Sequence, residues 1–288
     1  MQDHSSPPPP DELDVSDNLD VPDYLDVRRP AAGRVYDYYL DGAHNFEIDR
    51  AFARRMLETL PPVRQCARAN RAFLRRAVEW MCAEGIEQFL DIGSGIPSAG
   101  NVHEVAQQLV PEARTLYVDY ERVAASNAAF ILDDQDPHRQ RTNVLQADFR
   151  APETILDAKR THRMLDFDEP IGLLLVSLLP FIGPHDHPQA LMRRYRDAIP
   201  AGSYVAMSHI TSEGVPAEMH EELLRFVEAY QDTANPVFLR DHADFEDLFH
   251  GFELLDPGVV WAPEWHPDDP PPEDPSRTVF LAGVGRKP

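Results

Sequence analysis

Apolar positions between residues 34 and 84 recur at helical spacing, with Ala51, Met56, Leu57, Phe73, Leu74, Val78 and Met81 carrying the pattern. Gly85 fits a helix stop. Beyond it the period changes, and short apolar runs alternate with helical stretches. Strands are expected at 89–92, 115–118, 143–146, 171–179 and 203–209, and helices at 102–110, 122–132, 189–199 and 216–231. The run at 171–179, which includes Ser177, is apolar enough for a central strand buried on both faces. Pro200 and Gly202 stop the helix before the fifth strand, and Pro216 opens the next at a position where proline is tolerated. Residues 252–261 and 278–284 read as two last strands, joined by an acidic, proline-rich loop at 263–275. Alternating βα units predict an α/β fold with a doubly wound sheet, preceded by a helical extension. No internal repeat is visible.

The first 28 residues break this pattern. Pro7 to Pro10 precede seven acids between Asp11 and Asp26, so the segment repels itself and buries little. It reads as a disordered tail. Leu13, Leu19, Val21, Tyr24 and Leu25, set among the acids, leave open an arm that docks on a partner or on a second copy. Three regions follow: the tail at 1–28, a helical lid or extension at 29–85, and the sheet-bearing domain at 86–288. The 288-residue chain is 43 % hydrophobic, enough for a sizeable core. Its net charge of −22 argues against a nucleic-acid partner, which a basic surface would bind. Two cysteines, Cys66 and Cys82, form no metal cluster or disulfide framework, so a reducing cytoplasm is the default. No signal peptide or membrane-spanning run is expected.

The candidate chemistry lies at the strand ends. After the first strand come Asp91 and then Gly93, Ser94 and Gly95, a turn whose glycines let the main chain approach a ligand closely. Asp119 and Asp148 end the second and third strands, which puts all three acids on the edge where open α/β sheets bind ligands. Capping of helices is the plainer use of such acids. As a set they fit a nucleoside: Asp119 for ribose hydroxyls, Asp148 for an exocyclic amine, Asp91 near an ammonium group. Tyr120 and Phe149 could flank an adenine ring. S-adenosylmethionine meets this description. A dinucleotide competes, but its fingerprint wants a third small glycine-like residue where Ser98 stands after Pro97.

The chain resembles bacterial S-adenosylmethionine-dependent methyltransferases of the class I fold, many without an assigned substrate. The resemblance is carried by Ala32-Gly33-Arg34-Val35-Tyr36-Asp37-Tyr38, by Asn45-Phe46 with Asp49, by Asn70-Arg71-Ala72-Phe73-Leu74-Arg75-Arg76, and by Gln88-Phe89-Leu90-Asp91-Ile92-Gly93-Ser94-Gly95. Val102-His103-Glu104-Val105-Ala106, Tyr117-Val118-Asp119 and the ending Gly283-Val284-Gly285-Arg286-Lys287 complete it. It implies a seven-stranded Rossmann-like sheet whose last strand is antiparallel, with methyl transfer leaving S-adenosylhomocysteine. The chain departs from the family with Tyr120-Glu121-Arg122 after Asp119, with Asp41 in place of a glycine, and with Pro180 in place of a histidine.

Residues 34–46 are the expected lid, with Tyr36, Tyr38 and Tyr39 closing over the cofactor. Asn45 and Arg71 are candidates for its carboxylate, Arg71 through its fork of donors. If the acceptor must lose a proton, His209 and His185 are the candidate bases, with His44 and His187 behind them. No metal is expected. The expected function is methylation of a small molecule at O, N or C. The alternatives are a sensor or scaffold that binds the cofactor without turnover, and an NAD-linked oxidoreductase.

Overall fold

The computed structural model describes residues 28–96, 100–136 and 140–288. The expected tail up to residue 27, and Pro97 and Ser98, lie outside the described residues. Residues 34–84 form three helices rather than one pattern: α1 (Ala32–Tyr39), α2 (Glu47–Thr59) and α3 (Val63–Ala83). Asp49 supports the start of α2, its carboxylate accepting the Phe46 N–H at 3.0 Å. Pro61 and Pro62 separate α2 from α3.

The sheet begins with β1 (Gln88–Ile92), followed by α4 (Val102–Leu109), β2 (Arg114–Asp119), α5 (Arg122–Gln135) and β3 (Thr142–Gln146). Two short helices, α6 (Pro152–Leu156) and α7 (Lys159–Met164), come next, then β4 (Gly172–Leu175), α8 (Pro188–Ala198), β5 (Tyr204–Ile210) and α9 (Ala217–Tyr230). The chain ends through α10 (His242–Glu246), β6 (Glu253–Leu254), β7 (Val260–Trp261) and β8 (Phe280–Arg286). Strand order is β3-β2-β1-β4-β5-β8-β6, with β7 also paired to β8. The first five strands are parallel, and β8 runs antiparallel between β5 and β6. This is an open Rossmann-like α/β sheet.

It has eight strands rather than seven, because the run expected at 252–261 is two short pieces. A turn at Pro257 and Gly258 parts them, with the Gly258 N–H donating to Leu255 O at 2.7 Å. The strand expected at 171–179 stops at Leu175. Ser177 takes φ 61°, outside the range of a strand, and turns the chain off the sheet.

Every residue of β1, β4 and β5 is buried, because helices cover both faces. Alternation along the strands divides the core in two. Phe89, Tyr117 and Leu174 pack on one side with α1 to α4 and α9. Leu90, Leu116 and Leu173 pack on the other, with α6, α7, α8 and α10. The apolar sides of α1, α2 and α3 therefore belong to the core of the sheet itself.

Gly172, opposite Phe89 on the neighbouring strand, lets that ring lie flat on β4. A Cβ there would stand 2.6 Å from Phe89 Cδ1 and 3.1 Å from Met81 Sδ. Gly172→Ala is expected to lower stability by about 1–3 kcal/mol through overpacking, read as a lower urea midpoint at unchanged slope.

Candidate functional site

Because β1, β2 and β3 are parallel, Asp91, Asp119 and Asp148 reach the same edge of the sheet, and all three line one cleft. Gly93 (φ 73°) and Gly95 (φ 62°) make the turn after β1. The Gly93 and Ser94 N–H groups close it by donating to Val118 O at 2.7 and 3.2 Å. The helix α1 lies across the mouth, so near that a Cβ on Gly33 would be 3.5 Å from Gly95 Cα. Ala32, Gly33, Tyr36, Asp37 and Leu40, one side of that helix, face the cleft.

The acids differ in how they are held. Asp119 Oδ2 accepts the Gly95 N–H and its Oδ1 the Glu121 N–H, both at 2.8 Å. Each oxygen keeps capacity for a further donor. Burial pushes this carboxyl up to about 6, against the pull of those amides. Asp91 is pushed up to about 7, again by burial, with Arg71 opposing and Asp119 reinforcing the shift. Asp148 is half-buried. Burial raises its carboxyl, but hydrogen bonds and charge from Arg150 prevail and leave it below the ordinary value. Arg150 grips both Asp148 oxygens, the shortest contact being 2.7 Å, and its guanidinium sits 5.8 Å from the Tyr120 ring centroid.

Apart from Tyr38, Tyr39 and Asn45, every residue expected to hold or close over the cofactor lines this cleft, and Tyr38 lies instead under the Arg64 guanidinium. Asn45 is buried behind the cleft. Its amide donates to Asp37 Oδ2 at 2.7 Å, so it orients an acid that does face the cleft. Tyr39 lines an apolar chamber next door. Phe149 is fixed from behind, stacked on Tyr195 at 4.8 Å with planes 6° apart.

The candidate bases are not brought to the cleft. His209 is fully buried on the far side of β5, 5.6 Å from the Phe245 ring. Its Nδ1 meets Ile210 O at 2.8 Å and its Nε2 meets Arg240. Burial, then the Arg240 charge, push the imidazole down to about 3, so it is neutral and occupied at both nitrogens. His185 is exposed, beside Asp186 and Phe238. His44 and His187 also lie outside the cleft. Of the family departures, Pro180 borders the apolar chamber, whereas Asp41 lies outside the cleft, paired with Arg64 and Arg68.

Sequence reasoning missed several contributors. Asp37 and Asn70 line the cleft, and each has a buried oxygen, Oδ1, with no hydrogen-bond partner in the structure. Only the motif segments containing them hinted at a role. Asn235, which follows α9, accepts the Ala32 N–H at 2.9 Å and donates to the Tyr120 hydroxyl. No local signal marks it.

The donor set suits S-adenosylmethionine. Carboxylates raised by burial favour a cationic ligand, and orphaned acceptors call for donors such as an ammonium or hydroxyl group. Arg71 supplies the opposite charge at the same edge. No group of three or more His, Cys, Asp or Glu able to hold a metal occurs among the described residues. No described helix is long and apolar enough to cross a membrane.

The model of the S-adenosyl methyltransferase family matches residues 19–288. A protein of Thermobifida fusca YX inferred to be a methyltransferase shares 36 % identity with the chain. Its solved structure superposes with a TM-score of 0.84, covering 93 % of this chain and 99 % of that one. A DUF574 family protein of Streptomyces avermitilis MA-4680 shares 34 %, with a TM-score of 0.85 and coverage of 91 % and 99 %. No curated protein matches the chain. The chain thus belongs to the S-adenosyl methyltransferase family, enzymes that use S-adenosylmethionine as methyl donor.

Proposed function

We propose that this enzyme methylates a small-molecule acceptor at O, N or C, with the cofactor held by the acids at the ends of β1 to β3. The observation that carries the reading is the pair Asp91 and Asp119, buried side by side at the cleft with raised carboxyls. Asp119 has the acceptor capacity for both ribose hydroxyls. Asp91 and the orphaned oxygens of Asp37 and Asn70 receive the ammonium end, and Arg71 the carboxylate. Asp148, pinned by Arg150, presents its remaining lone pairs to the adenine amine beside Tyr120. A dinucleotide fits less well. Glu104 occupies the start of α4, accepting the Asn101 N–H at 2.9 Å, where a pyrophosphate would need positive potential.

Bound there, the cofactor would supply an electrophilic methyl carbon for an electron pair of the acceptor. The chain's part is alignment and exclusion of water by α1. No described histidine lines the cleft. At about 100 times its dissociation constant S-adenosylhomocysteine should stabilise the fold by about 2.7 kcal/mol in a melting assay, and NADH should not. The reverse outcome would overturn the reading.

The raised carboxyls fix a pH dependence. In the free protein Asp91 and Asp119 hold protons between the ordinary Asp value and about 6 to 7, whereas the unfolded chain does not. Their contribution to stability therefore declines as pH rises through that window. A cationic ligand favours the carboxylates, so binding releases protons and tightens as pH rises from 5.5 to 7.5. Calorimetric titration of S-adenosylhomocysteine should show affinity rising several-fold over this range. A flat profile would remove Asp91 from the ammonium site.

A further inference from the structure

Two arginines line the cleft, Arg71 and Arg150. Arg150 grips Asp148 at the end where β3 finishes. Arg71 comes from α3, on the other side, near enough to Asp91 for its charge to oppose the rise of that carboxyl. An arginine side chain has many rotamers, and a fork of donors recognises a carboxylate only when it is held in one of them. A residue outside the cleft holds this one. Arg71 Nη2 donates to Asn101 Oδ1 at 3.1 Å.

Asn101 is buried immediately before α4 and does not itself line the cleft. Its backbone is fixed on both sides. Its N–H donates to Glu104 Oε2 at 2.9 Å, and its carbonyl accepts the Val105 N–H at 3.0 Å. The amide therefore stands on the first turn of a helix whose apolar side, Val102, Val105 and Ala106, belongs to the same core layer as α3. Side-chain position is inherited from that packing rather than from a mobile loop.

The chemistry of the pair is specific. A guanidinium has five donors and no acceptor, so the amide must turn its oxygen toward Arg71. One donor is used, and the positive charge is not cancelled, because the amide is neutral. A carboxylate in the same place would form a charge-assisted pair and compete with any anion arriving from the cleft. Asp91 offers that competition a few side chains away, and a guanidinium tied to a neutral oxygen is kept from turning wholly toward it.

We propose that Asn101 is a positioning residue for cofactor recognition: its side-chain oxygen fixes the Arg71 guanidinium, with its charge intact, where the carboxylate of the ligand's amino-acid end arrives. The inference rests on the methyltransferase reading and on Arg71 as the carboxylate partner. It adds a residue that touches no ligand and yet sets how well the cleft separates a nucleoside bearing an amino-acid end from one without it.

Calorimetry with S-adenosylhomocysteine and with 5′-methylthioadenosine tests this. The second probe keeps the adenine, ribose and thioether and lacks the amino-acid end. Asn101→Ala should weaken S-adenosylhomocysteine about fivefold and leave 5′-methylthioadenosine within about twofold. Asn101→Asp keeps the shape of the side chain and places a carboxylate on the guanidinium. It should also weaken S-adenosylhomocysteine about fivefold or more and spare the shorter probe, and it carries the test should Asn101→Ala fail to fold. In an Arg71→Ala background, Asn101→Ala should add less than about twofold, because the two act as one unit. Equal weakening of both probes, or the full cost retained without Arg71, would overturn the positioning role and leave Asn101 a support of α4 alone. Arg71→Ala binding S-adenosylhomocysteine as tightly as the parent, or no binding by the unaltered protein, would overturn the cofactor reading and this inference with it.

Discussion

Arg34→Met should destabilise the fold by about 3–5 kcal/mol. Arg34 is completely buried in α1, and its Nε donates to Asp49 Oδ2 at 2.8 Å. Its Nη1 stands 3.1 Å from Glu121, the residue that caps α5 through the Val123 and Ala124 N–H groups. Its Nη2 donates to Arg29 O. One guanidinium thus joins α1, α2 and the helix after β2. Removing it strands the Asp49 carboxylate, which has no exposure to water and keeps only the Ala31 and Phe46 amides. Denaturant unfolding should show a large fall in midpoint. Adding Asp49→Asn in the same chain should recover part of the loss by removing the stranded charge. A variant as stable as the parent would mean that the network contributes no net stability.

The largest expected effect on binding is that of Asp119→Ala. Two hydrogen bonds donated by ribose hydroxyls to a charged acceptor are worth about 1.5–3 kcal/mol each, so affinity for S-adenosylhomocysteine should fall about 100-fold or more. The Gly95 and Glu121 amides also lose their acceptor, which loosens the turn after β1. The fold should survive, since Asp119 ends its strand at the cleft rather than in either apolar layer. Calorimetry with circular dichroism as the folding control tests this. Unchanged binding by a folded variant would refute the ribose assignment.

The parts of the site that could be read from sequence are those where cause and effect are local. Asp91, Gly93, Gly95, Asp119 and Asp148 each follow an apolar run, and a parallel sheet puts all such ends on one edge. One residue of strand parity turns His209 away from the cleft. Successive strand residues point to opposite faces. Ser208 therefore meets the loop at Ser177, while His209 follows Met207 into the layer with Phe245. Asp37, Asn70 and Asn235 were illegible for a different reason. They reach the cleft from helices and a loop far away in sequence, and nothing in their neighbours' periodicity records which surface α1 settles on. The break at Ser177 was hidden as well, since the leucines on either side of it sit equally well in a strand or in a buried turn.

Asn235 bears on timing. Its side chain accepts from the first residue of α1 and donates to Tyr120 after β2, so it clasps α1 to the far wall of the cleft. Any motion that lifts α1 must part this clasp before a spent nucleoside can leave. Such release steps set the pace of many enzymes. The clasp shares that hold with Arg34, which ties α1 to Glu121, so lifting α1 must break both.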